Sequence, residues 1–439
     1  MKFNKNFINL FKKYKLYILY FSLILLIYFV VEYVISYKFI NYGVTKKYIR
    51  FGQSIVLSGL NKNSGIEYRD GILSGFNEYN SKNNNSKKPL LQLYSLDDQY
   101  EPNYALENVK LLINYYDVFS IIGSWGTPTS VAIYKYVSLL RSIPFLGPLT
   151  GSNILRKTFK ENLFLIRPSY KDEIQTIFNH IKSQKKKHFS FLYQDDEFGN
   201  SVLEDIHTYL FNEIELQFLS KGNYIRNINN IENAIQNIFQ IKNPFMDEDV
   251  KKSQLLNHIE FIIISGTVDQ AFELIQFVNY YKPSIDIYCL SFTNTVGLLK
   301  KIKNIKNKQN IYATLTVPFY DKENNKKLLE SLQDHLLQIK KDNITNLTPN
   351  LLEGYILGRF ISEIIQNFPN DKNMNRYDFI NEIYSKKEFN IDGYTLGAFQ
   401  NKTNPCNVGL NSIYLVKYEF EEKDFKQILI DKKTTKCNF

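Results

Sequence analysis

Cysteine, histidine and tryptophan are all scarce in this chain of 439 residues, and each shortage removes a class of function. Three cysteines (Cys289, Cys406 and Cys437) cannot build a disulfide framework or a zinc site. They read as thiols, Cys289 buried in its strand, with pairing of Cys406 and Cys437 left open in an oxidising compartment. Five histidines lie far apart, with no two at metal-ligand spacing on one helix. No Ser or Cys nucleophile is partnered with a histidine, so catalytic residues, metal and cofactor are all expected to be none. The pair Asp195-Asp196 reads as a cap plus a solvated charge rather than as an acid–base couple.

Acidic residues are absent from the first 15 positions, which carry Lys2, Lys5, Lys12, Lys13 and Lys15. Those lysines account for half of the net charge of +10 and leave +5 for the other 424 residues. That is too dilute for a phosphate-binding face, and nucleic acid is excluded as a partner. Long apolar runs are also missing, apart from one. Residues 16–31 (LYILYFSLILLIYFVV) carry no charge, and the apolar character extends past Glu32 to about Phe39. A membrane helix needs ~20 largely apolar residues, and no small-residue cleavage site follows. Residues 1–15 therefore read as a cytoplasmic basic tail and 16–39 as a single-pass signal-anchor, with a long cleaved signal peptide as the rival. Either way the remainder lies outside the cytoplasm.

What is present is alternation. Short, nearly continuous apolar runs at Ile49–Gly59, Pro89–Asp97, Val118–Ser124, Ile143–Thr150, His188–Asp195, Glu260–Gly266, Ile285–Phe292 and Asn310–Val317 are separated by segments of helical spacing. This pattern predicts an α/β protein built of doubly wound lobes with buried parallel sheets. Residues 245–258 read as a charged surface insertion. After the strand VFSII, the turn Gly123-Ser124-Trp125-Gly126-Thr127-Pro128-Thr129-Ser130 offers an N-cap at Thr127 and a proline at the first helical position. It reads either as an anion site or as an ordinary capped helix. The next strand end, Gly147-Pro148-Leu149-Thr150-Gly151-Ser152, repeats the chemistry, and two such turns define a crevice at the sheet's edge. Trp125, the one tryptophan, is either a ligand-stacking wall or a plug at the lip.

The order of motifs resembles the type I periplasmic solute-binding proteins, the branched-chain amino-acid (leucine/isoleucine/valine) binding family of ABC transporters. IRFGQSIVLSG at Ile49, LDDQYEPNYALENVKLLI at Leu96, IIGSWGTPTS at Ile121 and IPFLGPLTGSNILR at Ile143 open the series. It continues with LFLIRPSYKDE at Leu163, YQDDEFGNSVLEDI at Tyr193, IIISGTVDQAFELI at Ile262, IYATLTVPFYD at Ile311 and LLEGYILGRFISEII at Leu351.

The resemblance implies two lobes joined by three crossovers, near Arg167–Tyr170, Thr316–Tyr320 and Gly393–Phe399. Lobe one would be 48–167 plus 318–393, and lobe two 168–317 plus 394–439. It further implies a ligand held from lobe one by Thr127 with Trp125 and Thr129 beside it, by the Leu149 backbone, and by Gly151 with Thr150 compensating for a missing hydroxyl. Ser64 occupies an aromatic position of the subgroup. From lobe two, Phe198 covers the ligand and Thr267 stands at another wall position. Thr293 falls where the subgroup carries the carboxylate that meets an ammonium. The expected role is capture of a small polar ligand, an amino acid or related compound, for a membrane permease. The alternative is a sensory subunit that signals to a separate receptor, kinase or cyclase.

Overall fold

The computed structural model describes residues 14–15, 17–31, 43–84, 88–140, 142–211, 213, 215–339, 347–368, 374–401 and 406–432. Residues 17–31 are helical (α1) and exposed. Among the described residues no helix is long and apolar enough to cross a membrane. Most of the remaining segment that a signal-anchor over 16–39 would use, and nearly all of the basic tail, lies outside the described residues.

From Tyr48 onward the alternation read in the sequence becomes two sheets. The first has strands β1 (Tyr48–Ile55), β2 (Leu90–Asp97), β3 (Ser120–Ile122), β4 (Phe145–Leu146) and β5 (Leu163–Phe164), in the order β2-β1-β3-β4-β5 and parallel throughout. Helices α2 (Lys62–Asn83), α3 (Pro102–Asn114) and α4 (Thr127–Val137) connect its strands. The chain then passes through α5 (Tyr170–Ser183) into the second sheet. There β6 (His188–Gln194), β7 (Gln217–Tyr224), β8 (Phe261–Ser265), β9 (Asp286–Cys289) and β10 (Ile311–Leu315) are parallel. Their connections hold α6 (Glu197–Leu210), α7 (Glu232–Phe239), α8 (Asp247–Lys251), α9 (Gln254–His258), α10 (Val268–Tyr281) and α11 (Thr295–Ile302). The segment expected as a charged insertion forms the two short helices α8 and α9, which bury Val250 and Leu256.

After β10 the chain returns to the first lobe as α12 (Lys326–Ile339), α13 (Pro349–Asn367), α14 (Arg376–Lys386) and the hairpin β11 (Phe389–Ile391) and β12 (Tyr394–Leu396). It ends with β13 (Ser412–Glu419) and β14 (Asp424–Lys432), antiparallel additions beyond β10. Helices α2 and α13 touch backbone to backbone. A Cβ on Gly71 would stand 2.1 Å from the Leu351 carbonyl oxygen, and one on Gly354 would stand 2.2 Å from that of Tyr68. Only glycine permits that approach.

At the expected first and second crossings, Arg167 donates to Thr316 at 3.3 Å. Gly409 and Leu410 donate their N–H groups to the carbonyls of Leu165 and Ile166 at 2.7 Å, beside the first crossing. The hairpin stays with lobe one because Phe389 and Phe399 pack on Phe360 of α13, and Phe399 also on Phe164. Apolar rings hold it there, although its position in the chain placed it at a boundary. Cys406 is disulfide-bonded, against the expectation of thiols. Cys289 is a buried free thiol, and Cys437 lies outside the described residues.

Candidate functional site

The carboxyl ends of both parallel sheets face each other, as open α/β sheets present their ligand crevices. At the end of β3, Gly123 and Gly126 take positive φ (60° and 94°), which turns the chain sharply before α4. Gly126, not Thr127, is the N-cap, and no side chain caps this helix. Thr127 is already helical, with a proline beside it in the first turn. Its hydroxyl lies 2.7 Å from that of Thr150 and 3.5 Å from that of Tyr170, all three side chains buried. Burial pushes the Tyr170 phenol up, so it stays a neutral donor.

Trp125 is 1% exposed and packs against Tyr100 at 4.8 Å and Phe292 at 4.3 Å between ring centroids. Tyr100 belongs to the first lobe, and Phe292 follows β9 of the second. Phe198, at the start of α6, meets Phe292 at 4.7 Å and Tyr170 at 5.2 Å. Five rings, from both lobes and from the first crossing, therefore form one cluster, and its Tyr170 carries one of the three hydroxyls. The Trp125 indole N–H is buried without a hydrogen-bond partner. A buried donor left unmatched costs roughly 1–3 kcal/mol, and a ligand acceptor would remove that cost.

The other expected positions divide. Thr129 donates its hydroxyl to the Trp125 carbonyl at 2.6 Å, and so shapes the turn. The Leu149 N–H donates to the Ser124 carbonyl at 2.7 Å, and its carbonyl accepts from Gly126 at 3.2 Å, so both backbone groups are engaged. Gly151 has no room for a side chain, because a Cβ there would stand 2.5 Å from the Tyr170 ring. That ring occupies the space where a hydroxyl-bearing side chain would sit. Thr267 is the N-cap of α10 and bonds the Gln270 side chain. Thr293 donates to the Gly266 carbonyl at 2.7 Å. Through Phe292 and Gly266 these two join the same neighbourhood. Ser64 is buried in the first turn of α2. One turn on, Glu67 accepts from Asn294 of lobe two at 2.6 Å.

Sequence reasoning passed over Tyr100, Tyr170, Phe292 and Arg226. Tyr100 and Tyr170 stand inside quoted motifs and Phe292 ends an apolar run, each next to a strand end or crossover. An aromatic residue at such a point was the available signal. Arg226 had no such signal, because β7 was not read as a strand.

Below the rings the crossings enclose a polar network. The Arg167 guanidinium lies 3.4 Å from the Glu353 carboxylate and donates to Ser291 at 2.6 Å and Thr316 at 3.3 Å. Thr316 in turn donates to Glu353 at 2.9 Å. Glu173 accepts from the Ser291 N–H and hydroxyl, both at 2.8 Å, and from Thr314. Burial alone would draw the Arg167 guanidinium down, but Glu353 holds it above its usual range. Burial pushes the Glu173 carboxyl up despite Arg167.

Among known proteins, residues 48–235 match the family described as periplasmic binding protein. No curated protein matches the chain. Among solved structures, a possible leucine/isoleucine/valine-binding protein from Rhodopirellula baltica SH 1 superposes with a TM-score of 0.72 at 23% identity, over 88% of this chain and 97% of that one. A substrate-binding periplasmic protein from Ralstonia solanacearum gives 0.71 at 17% identity, over 86% and 99%. A branched-chain amino-acid ABC transporter protein from Thermus thermophilus, solved with bound valine, gives 0.68 at 12% identity, over 90% and 98%. Residues 48–235 thus carry the family's sequence pattern, and the two sheets together have the fold of type I periplasmic binding proteins.

Proposed function

We propose that the chain captures a small polar solute, an amino acid or a related compound, between its two lobes and passes it to the permease of an ABC-type importer. The observation that carries this reading is the meeting of aromatic rings and hydroxyls from both lobes around Trp125, with one buried indole N–H unmatched. The uncapped start of α4 adds free N–H groups to that donor set, so the head group it suits is an acceptor such as a carboxylate. Phe198 and Phe292 supply apolar cover from lobe two. Thr293 carries no charge and its hydroxyl is engaged, so this reading does not extend to a branched-chain amino acid in particular.

Binding occurs outside the cytoplasm, in the proposal, with residues 16–39 as the anchor and 1–15 inside. The disulfide at Cys406 supports an oxidising compartment. The lobes are taken as residues 48–167 with 318–407, and 168–317 with 408–439, moving on the three crossings. Binding proceeds without turnover.

The test is a thermal-shift screen of the full chain in detergent micelles against amino acids, amides, polyamines and small carboxylates. A ligand at ~100 times its Kd adds about 2.7 kcal/mol of stability. Thr127→Val should then weaken the hit about 5- to 150-fold, the equivalent of ~1–3 kcal/mol. If Thr127→Val binds as tightly as the parent, the head-group assignment fails. A screen with no hit in any class defeats the reading as a whole.

A further inference from the structure

The turn that carries Tyr100 is gripped from the opposite lobe. Gln99 and Tyr100 both take left-handed backbone conformations, with φ of 53° and 61°. Non-glycine residues adopt that region only where neighbours hold them. Here the first lobe does so itself: Asp97 accepts from the Gln99 N–H at 3.0 Å, and Asp98 from the Tyr100 N–H at 2.9 Å. The result is a fixed target beside the rings of the site.

Four contacts from the ends of β6 and β7 converge on it. Arg226 donates one terminal nitrogen to Asp196, its neighbour in lobe two, and the other to Glu101 of lobe one, each at 2.8 Å. Asn227 donates to the other Glu101 oxygen at 2.7 Å and to the Gln99 carbonyl at 3.1 Å. Gln194 donates to the Tyr100 hydroxyl at 3.0 Å. The Arg226 guanidinium also lies 5.5 Å from the centre of the Tyr100 ring. Trp125 meets that ring edge-on at 4.8 Å, so arginine, tyrosine and tryptophan form one unbroken line of contacts that begins in lobe two and ends in lobe one.

We propose that Arg226 is a positioning residue for solute capture: it latches lobe two to the 99–101 turn and so sets how often the closed cleft opens. It does not touch the solute; it holds Tyr100 over Trp125. A guanidinium suits this role because its planar fork serves two carboxylates at once, whereas a lysine ammonium offers no such fork. Asp196 orients Arg226 from within its own lobe, and of the two carboxylates on its fork only Glu101 lies in lobe one. Latching rests on the closure of the two lobes but not on the identity of any solute.

The single tryptophan provides a readout that needs no ligand. Acrylamide quenching of Trp125 in the full chain, in detergent micelles without added solute, reports opening directly. In the parent the indole is 1% exposed and should be shielded. Arg226→Gln and Glu101→Gln should each raise the opening equilibrium about fivefold, as a latch of ~1 kcal/mol implies. The double variant should add little to either single one. High salt should move the parent toward the variants. Glu101→Gln is the decisive variant, since Glu101 is half-exposed and its loss leaves the Arg226–Asp196 pair intact. If Glu101→Gln keeps its unfolding midpoint and leaves quenching at the parent's level, the latch is overturned. Arg226→Lys should restore shielding only in part, and full restoration would overturn the bridging role of the fork. A failed latch would leave the solute reading standing, and a screen without hits would leave the latch standing.

Discussion

Among the ionic contacts between the lobes, one network lies at the hinge and another at the mouth of the cleft, and their surroundings set what each can do. At the hinge, the side chains of Arg167 and Glu353 are 2% and 3% exposed. At the mouth, those of Arg226 and Glu101 are 18% and 39% exposed. Charges sealed from water cannot be released singly without a large desolvation cost. Charges that keep part of their hydration exchange protein partners for water at little cost. The hinge therefore suits permanence, and the mouth suits reversible closure.

The largest effect should come from breaking the sealed network. Arg167→Met leaves Glu353 and Glu173 buried without their cation, and should destabilise the chain by about 3–5 kcal/mol. Urea unfolding measures this. A loss below about 1 kcal/mol, the scale of an exposed pair, would erase the distinction between hinge and mouth.

A smaller effect concerns Asp98, which lies beneath the 99–101 turn and accepts from Ser54 and from the Tyr100 N–H. Burial pushes its carboxyl up to about 7, above the ~3.9 of an unfolded chain. The fold thus favours the protonated form. This contribution is fully present below about pH 4 and is lost as pH rises toward about 7, at up to ~1.4 kcal/mol per unit. Asp98→Asn should flatten the stability profile across that window, as urea midpoints at several pH values would reveal. An unchanged slope would show that Asp98 is ionised in the folded chain throughout.

The smallest effect belongs to Lys157 and Glu204, an exposed pair between the lobes at 2.9 Å. Lys157→Gln should change stability by less than ~0.5 kcal/mol and leave the shielding of Trp125 unchanged. Opening of the cleft in that variant would mean that any interlobe charge acts as a latch, and Arg226 would lose its special place.

Much of the fold was legible because apolar runs at strand spacing survive in any surroundings. Helix α5 starts where a local signal stands, since Ser169 and Asp172 form a capping box just ahead of it. The turn at Gly123 and Gly126 was legible for a similar reason, as both glycines take positive φ. The cap was misplaced by one residue. Thr127 has the right chemistry for capping, but Thr150 and Tyr170 draw its hydroxyl away. The backbone contact between α2 and α13 was written as two glycines four apart in each helix, Gly71 and Gly75 against Gly354 and Gly358. Nothing local pairs those spacings, which lie almost 300 residues apart.

By itself, then, the sequence determined the alternation of strand and helix, the two crevice turns and the family pattern through residue 235. All of these depend on neighbours within a few residues. Only the tertiary structure decided which hydroxyls are free and which rings meet. It also seated Gly409 and Leu410 against the backbone of Leu165 and Ile166. Thr129, Thr267 and Thr293 looked alike in the chain, yet each has its hydroxyl bonded to a different group. Glu101 and Arg226 stand 125 residues apart and carry no mark of their pairing. Burial and hydrogen bonding are properties of the packed state, in which partners distant in the chain compete for each polar group.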